Sequence, residues 1–351
     1  MTKQTVLVMG AGFTHALNTD APLIKSDLSE LFNKLKNKYT KFPSVLEIIH
    51  SISNPKQVNI EELLTRLYLG MPYDESFLSK GNKETLYEDL ISNMIHSIEK
   101  IKLSDENKKI LDILAKFIIE KEISCITFNY DTLFDQALWE VKKITNAIET
   151  NYFHPDGGYG FFCRPIKCLV EEGGIEGGII KDSTSTQLFK LHGSLNWKIK
   201  KGFQKPYPLD SLIHSESWLP QTQRKKMSEE DLLTHLERSS FVVPPLLDKS
   251  VLTEQPILRV VWEKAYSLLK KSDKVIFIGY SLPMTDIASS FLFKETLKFL
   301  NRENIFVVSS PNQNSKNKDK IITRYKEVFP GMKAKQFFFT GAIDWIKKNC
   351  H

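Results

Sequence analysis

Thr5-Val6-Leu7-Val8-Met9-Gly10-Ala11-Gly12-Phe13-Thr14-His15 opens the chain with a short apolar run that stops at two glycines. Val6 to Met9 is the continuous apolar stretch that a strand buried on both faces requires. The glycines let the backbone turn sharply and approach a ligand closely, and the helix after them would favour a pyrophosphate at its N-terminus. His15 stands where the dinucleotide-binding fingerprint has its third glycine. On its own, then, the stretch fits two readings: a phosphate-binding loop or an ordinary tight strand-to-helix turn.

Working outward, the same kind of run recurs. Ile123 to Phe128, Gln187 to Leu191, Phe241 to Val243, Val275 to Ile278, Ile305 to Val308 and Gln336 to Phe339 are short, apolar and rich in β-branched and aromatic residues. Helical segments separate several of them, notably Leu133 to Lys142, Ile257 to Lys271 and Ile287 to Leu300. Short apolar strands alternating with helices predict an α/β fold: a Rossmann-like, doubly wound, mostly parallel sheet that takes ligands at the carboxyl ends of its strands. Between residues 26 and 120 the pattern is helical instead. Asn59 reads as an N-cap with Glu61 and Glu62 in the first turn. Leu86, Leu90, Met94 and Ile98 recur every four residues, and Ile110, Leu114, Phe117 and Ile118 mark a further apolar face. This segment is expected to be a helical insertion or lid after the first strand, inside one domain spanning 1–351. Residues 150–185, with Gly157-Gly158, Gly173-Gly174 and Gly177-Gly178, and the charged, proline-containing residues 199–238 read as loop-rich excursions at the ligand face.

Composition narrows the class. A chain of 351 residues, 41% of them apolar, can bury one large core or two modest ones. No run approaches the roughly 18 apolar residues of a membrane span, and the run before Gly10 is too short for a secretory leader. A cytoplasmic protein with no membrane contact is expected. Cys125, Cys163, Cys168 and Cys350 are scattered. Only Cys163 and Cys168 are close, and they lack the second pair of a zinc ribbon, so they read as free thiols and no metal site is expected. The net charge of +6 suits an anionic dinucleotide. Arg224-Lys225-Lys226 and Lys316 to Lys320 read as solvated faces, with a nucleic-acid contact through them left open.

Each strand gives way to polar or small residues. After the second comes Asn129-Tyr130-Asp131; Asp131 could simply cap the next helix, which leaves Asn129 unexplained. After the third comes His192-Gly193-Ser194; a histidine there is either a hydrogen-bonded structural residue or a base suited to neutral pH. Gly279-Tyr280-Ser281-Leu282-Pro283, with Thr285 and Asp286, and Ser309-Ser310-Pro311-Asn312 come after two later strands and fit ordinary turns as well. Together they line one sheet edge with small and polar groups, as a dinucleotide site requires.

The ordered set Gly-Ala-Gly-Phe-Thr (10–14), Phe-Asn-Tyr-Asp (128–131), Leu-His-Gly-Ser (191–194) and Gly-Tyr-Ser-Leu (279–282) resembles the sirtuin-like superfamily, and within it the bacterial branch that serves in antiphage defence. The resemblance implies NAD⁺ as the substrate and cleavage of its nicotinamide–ribose bond, without a metal. It implies that Gly10, Ala11, Gly12 and Thr14 hold the phosphates. Asn129 would sit at the nicotinamide ribose, Asp131 would line the same pocket, and His192 would be the general base. Gly279 and Ser281 would contact the adenosine side, with Ser309 and Asn312 at its far end. Deacylases of the family carry four zinc-binding cysteines after the His-Gly motif, whereas only Cys350 comes after His192. That departure turns the expectation toward NAD⁺ hydrolysis. The branch also implies a homo-oligomer and a separate regulator, such as a HerA-type ATPase. The alternatives are a non-catalytic NAD or ADP-ribose sensor or scaffold subunit, and a protein deacylase or ADP-ribosyltransferase.

Overall fold

The computed structural model describes residues 4–21, 23, 25–26, 29–41, 43–50, 58–69, 80–145, 148–151, 158–159, 164–165, 186–200, 213–214, 238–247, 252, 254–311 and 313–350. The chain divides into two compact units. One comprises Met1–Asn18, Lys102–Val243 and Ser250–His351; the other comprises Thr19–Ile101 and Pro244–Lys249.

The first unit is built on strands β1 (Thr5–Met9), β2 (Ser124–Thr127), β3 (Leu188–Lys190), β4 (Gly193–Lys200), β5 (Arg238–Val242), β6 (Lys274–Ile278), β7 (Ile305–Val308) and β8 (Phe337–Phe338). Six of them form one sheet in the order β8-β7-β6-β1-β2-β3, with every neighbouring pair parallel. The chain winds outward from β1 to β3, then returns to the other side of β1 and winds outward to β8. This is the doubly wound order, and β1 and β6 flank the point where the direction of winding reverses. Val6, Val8, Cys125, Ile126, Val275 and Phe277 are fully buried, as a parallel sheet covered on both faces demands. The cover comes from α1 (Ala11–Leu17), α2 (Asp105–Glu120), α3 (Leu133–Glu140), α4 (Pro256–Lys270), α5 (Ile287–Thr296), α6 (Ser315–Val328) and α7 (Ala342–Asn349). On α2, Ile110, Leu111, Leu114, Ala115, Ile118 and Ile119 form one buried stripe, and Ser104 caps the helix by accepting from the Asn107 amide at 3.3 Å. That stripe joins the core of this unit, so the helical pattern of residues 26–120 divides between the two units near Ile101.

The run Phe241 to Val243 does not extend the parallel sheet. Most of it lies in β5, which pairs antiparallel with β4, Phe241 opposite Ser194 and Val242 opposite Gly193. The cause is local. Gly193 has φ +79, which turns the chain away from β3, and a Cβ there would lie 2.3 Å from the Phe241 carbonyl oxygen. This smaller sheet continues from β4 to short strands at Ile213–His214 and Arg164–Pro165. Both excursions read as loops thus contribute strand residues to it.

The second unit has its own core. Helices Ser29–Lys38, Pro43–His50, Ile60–Leu69 and Lys80–Glu99 bury Phe32, Leu35, Ile49, Leu64, Leu67, Leu86 and Leu90, joined by Leu246. Asn59 does cap its helix: Oδ1 accepts from the Glu61 amide at 3.1 Å, while Nδ2 donates to Glu62 at 2.7 Å. Among the described residues, no helix is long and apolar enough to cross a membrane.

Candidate functional site

Strand register puts the polar strand ends at one level. Met9 is paired with Ile278 and with Thr127, Thr127 with Lys190, and Ile278 with Val308. The residues just beyond these therefore lie one after another along a single edge: Gly10, Asn129, His192, Gly279 and Ser309.

At the winding reversal, the turn after β1 and the end of β6 lie against each other. The Gly10 amide donates to the Ile278 carbonyl at 3.2 Å and the Gly12 amide to the Gly279 carbonyl at 2.9 Å. Gly279 has φ +62, and a Cβ on it would lie 2.1 Å from the Phe13 nitrogen; a Cβ on Gly12 would lie 2.8 Å from the Gly279 oxygen. These glycines are needed first for contact between the two strand ends. Gly10 is the N-cap of α1, with no side-chain cap hydrogen bond, and Ala11 is the first residue of that helix. The turn after β6 is braced by aromatic packing. Tyr280 stacks on Phe128 at 4.4 Å and 11°, and its hydroxyl donates to Asp286 at 3.0 Å. Ser281 is exposed. Ser309 Oγ accepts from Gln313 Nε2 at 3.2 Å. Asn312 lies outside the described residues.

The polar centre is Thr14, Asn129 and Asp131, all buried. Asn129 Nδ2 donates to Thr14 Oγ1 at 2.9 Å, and the Thr14 hydroxyl donates to Asp131 Oδ2 at 2.7 Å. Asp131 Oδ1 accepts from the Leu133 amide at 3.2 Å, so its side chain does bond the first turn of α3, although Thr132 is the N-cap residue. Thr14, assigned by resemblance to the phosphates, spends its one hydroxyl donor on the hydrogen bond to Asp131. Burial pushes the Asp131 carboxyl up from its ordinary range, opposed by the Lys190 charge and the Thr14 hydroxyl. Asn129 Oδ1 is buried and has no hydrogen-bond partner among the described residues.

His192 stands beyond β3, buried. Its ring meets Phe128 edge-on, with centroids 5.2 Å apart, and Tyr130 at 6.4 Å. Its carbonyl accepts from the Val243 amide at 2.8 Å. The Tyr130 hydroxyl donates to the Val243 carbonyl at 2.6 Å. Phe128, Tyr130, His192 and Val243 at the β5 end are thus in contact.

Several residues of this region escaped the sequence reading. Thr127 Oγ1 accepts from the Asn129 amide at 3.1 Å. Lys190 and Asp135 form an ion pair at 3.0 Å with side chains 0% and 1% exposed. Tyr159 donates to Asp135, and Asn196 Nδ2 donates to the Tyr159 hydroxyl at 2.9 Å. A signal was present: Lys190 interrupts Leu188-Phe189-Lys190-Leu191, and a lysine inside a buried strand requires a partner.

A family model described as a SIR2-like domain matches residues 123–328, more than half of the 351-residue chain. The match includes Asn129, Asp131, His192, Gly279, Ser281 and Ser309, and begins after the Gly10 turn. No curated protein matches. Similar solved structures include a Sir2 homolog–NAD complex, at 13% identity over 93% of this chain and 91% of that chain with TM-score 0.40. Another is Sir2 bound to acetylated peptide, at 12% identity over 98% and 91% with TM-score 0.42. A third, from work on the mechanism and regulation of Sir2 enzymes, has 12% identity over 99% and 90% with TM-score 0.41.

Proposed function

Because the chain belongs to the SIR2-like domain family, we propose that it takes NAD⁺ as a substrate and hydrolyses the bond between nicotinamide and ribose. The observation that carries this reading is the state of Asn129. Its Nδ2 donates to Thr14, whose hydroxyl donates to Asp131. Its Oδ1 remains a buried acceptor with no partner among the described residues. Leaving such a group unsatisfied costs about 1–3 kcal/mol, which a water or a ribose hydroxyl would recover by donating to it. A side chain held this way is suited to orienting one of those groups rather than to filling space.

The reaction asks little more of the protein. Nicotinamide in NAD⁺ is cationic at its ring nitrogen and leaves neutral, so no general acid has to protonate it. The sugar passes through an oxocarbenium-like transition state, as in glycoside cleavage. Asn129 holds the ribose or the water. His192, on the neighbouring strand end, takes a proton from the attacking water or a ribose hydroxyl. The turn Gly10-Ala11-Gly12 fits the pyrophosphate, since it lies at the winding reversal and opens onto α1. Gly279, Ser281, Ser309 and Asn312 take the adenosine side. Hydrolysis is favoured over lysine deacylation because only Cys350 comes after His192 in the sequence. By the same resemblance we assign the activity to antiphage defence, as a homo-oligomer controlled by a separate regulator such as a HerA-type ATPase.

The test is incubation of the purified chain with NAD⁺, alone and with the product of its neighbouring gene. Nicotinamide and ADP-ribose are expected in equal amounts, and an acetyl-lysine peptide should not alter the rate. Bound NAD⁺ that persists intact under every condition would move the assignment to a nucleotide sensor.

A further inference from the structure

Lys190 and Asp135 sit behind the site and have no role in the mechanism above. Lys190 Nζ donates to the Asp131 carbonyl at 2.6 Å and to both Asp135 carboxylate oxygens at 3.2 and 3.0 Å. Three acceptor oxygens thus lie within hydrogen-bond distance of its three N–H donors. Lys190 is the last residue of β3, two residues before His192. Asp131 is two residues after Asn129, in the loop that leaves β2. One ammonium group thus ties together the two segments that carry the proposed reacting residues.

The tie continues in hydrogen bonds that return to the same loop. Tyr159 donates to Asp135, and Asn196 donates to the Tyr159 hydroxyl at 2.9 Å. Ser194 Oγ is hydrogen-bonded to Asn196 Oδ1 and lies 3.5 Å from the Tyr130 carbonyl oxygen. The path starts at the carbonyl of Asp131 and ends at that of Tyr130. It runs through α3, Tyr159 and β4, and β4 begins directly after His192. Ser194 and Asn196 are fully buried, which explains why polar residues alternate with Leu195, Trp197 and Ile199 along that strand.

We propose that the buried Lys190–Asp135 pair, closed into a ring by Tyr159, Asn196 and Ser194, is a positioning clamp that fixes the Asn129 loop and the His192 loop in one register. The proposal rests on the reading of Asn129 and His192 as the residues that act on NAD⁺. Stability alone does not account for such a pair. A buried ion pair can often be replaced by apolar residues of similar volume without loss of stability, whereas removing one partner strands the other charge. What apolar residues cannot supply is the directed bond from Nζ to the Asp131 carbonyl. A misplacement of about 1 Å between reacting groups can lower a rate by roughly 100-fold.

The experiment uses the full chain with both charges removed together, Lys190→Met with Asp135→Leu, and separately Tyr159→Phe. Three quantities are read: kcat for nicotinamide release, Kd for NAD⁺, and the ring signal of His192 in protein labelled with ¹³C-histidine, assigned with His192→Gln. The clamp predicts that the double variant melts within a few degrees of wild type and binds NAD⁺ within about threefold, while kcat falls about 10- to 100-fold. It predicts a smaller fall, about three- to tenfold, in Tyr159→Phe, and a shifted, broadened His192 signal in both. A kcat within twofold of wild type in both variants, with an unchanged His192 signal, would overturn it. If the double variant does not fold, Tyr159→Phe decides alone. If wild type releases no nicotinamide, the hydrolase reading fails by itself, and the His192 signal still decides whether the clamp holds that side chain.

Discussion

Thr14, on α1, is joined through its hydroxyl group to Asp131 in the loop after β2, 117 residues away in the chain. It donates to Asp131 and accepts from Asn129, so both side chains depend on it. Thr14→Val keeps the shape and removes the hydroxyl. The expected cost is about 1–3 kcal/mol by urea unfolding, because the buried Asp131 loses a donor, and nicotinamide release should fall further than in Thr14→Ser. Equal rates in the two variants would count against the relay. Asp131 gives a prediction in pH. Burial holds its carboxyl above the ordinary value of 3.8, so the folded chain binds that proton more tightly than the unfolded chain does. Its contribution to stability is whole below the unfolded value and declines as pH rises from there through the raised folded value. Asp131→Asn should therefore lose less stability than wild type as pH is raised above about 4, measured by unfolding at stepped pH; parallel curves would exclude the assignment. At this scale the sequence was a partial guide. Asn129, Asp131 and His192 stood out because each ends an apolar run. Lys190 left a signal as a lysine inside an apolar strand, but its partners Asp135 and Tyr159 left none, since residues far apart in the chain form the buried pair and periodicity carries no trace of their meeting.

The elements were more legible where one rule governs them. Continuous apolar runs such as Val6 to Met9 and Val275 to Ile278 announce strands covered on both faces, and both form neighbouring strands of the sheet. The rule fails for Phe241 to Val243, whose composition is the same but whose antiparallel partner is set by the turn at Gly193. Strand β4 has no continuous apolar run; its Leu195, Trp197 and Ile199 alternate with polar residues. At the winding reversal the contact between two elements rests on Gly279. Its φ of +62 and the 2.1 Å separation that a Cβ there would have from the Phe13 nitrogen mean that Gly279→Ala must displace the β1 turn as well as strain its own backbone. A loss of at least about 2 kcal/mol is expected by chemical unfolding. A variant of wild-type stability would show that the turn and the β6 end can separate freely.

Over the whole molecule, two compact units each have a core, and their boundary near Ile101 falls inside the helical stretch 26–120. The apolar stripe of α2 looks like the stripes of the helices before it, and only its packing assigns it to the sheet. Leu64, fully buried in the second core, tests the independence of that core. Leu64→Ala should cost about 2–5 kcal/mol, and amide exchange should accelerate in the helices Ile60–Leu69 and Lys80–Glu99 while β1 and β6 stay protected. Equal acceleration in both would mean one cooperative core. The central claim concerns the chemistry of the intact chain, and the most direct measurement is the initial rate of nicotinamide release from NAD⁺ by wild type, Asn129→Ala and His192→Ala, each shown to be folded. The account predicts release by wild type and a fall of about 10²- to 10⁴-fold in the His192 variant, with a comparable loss in the Asn129 variant. Near-normal release by both folded variants would contradict it.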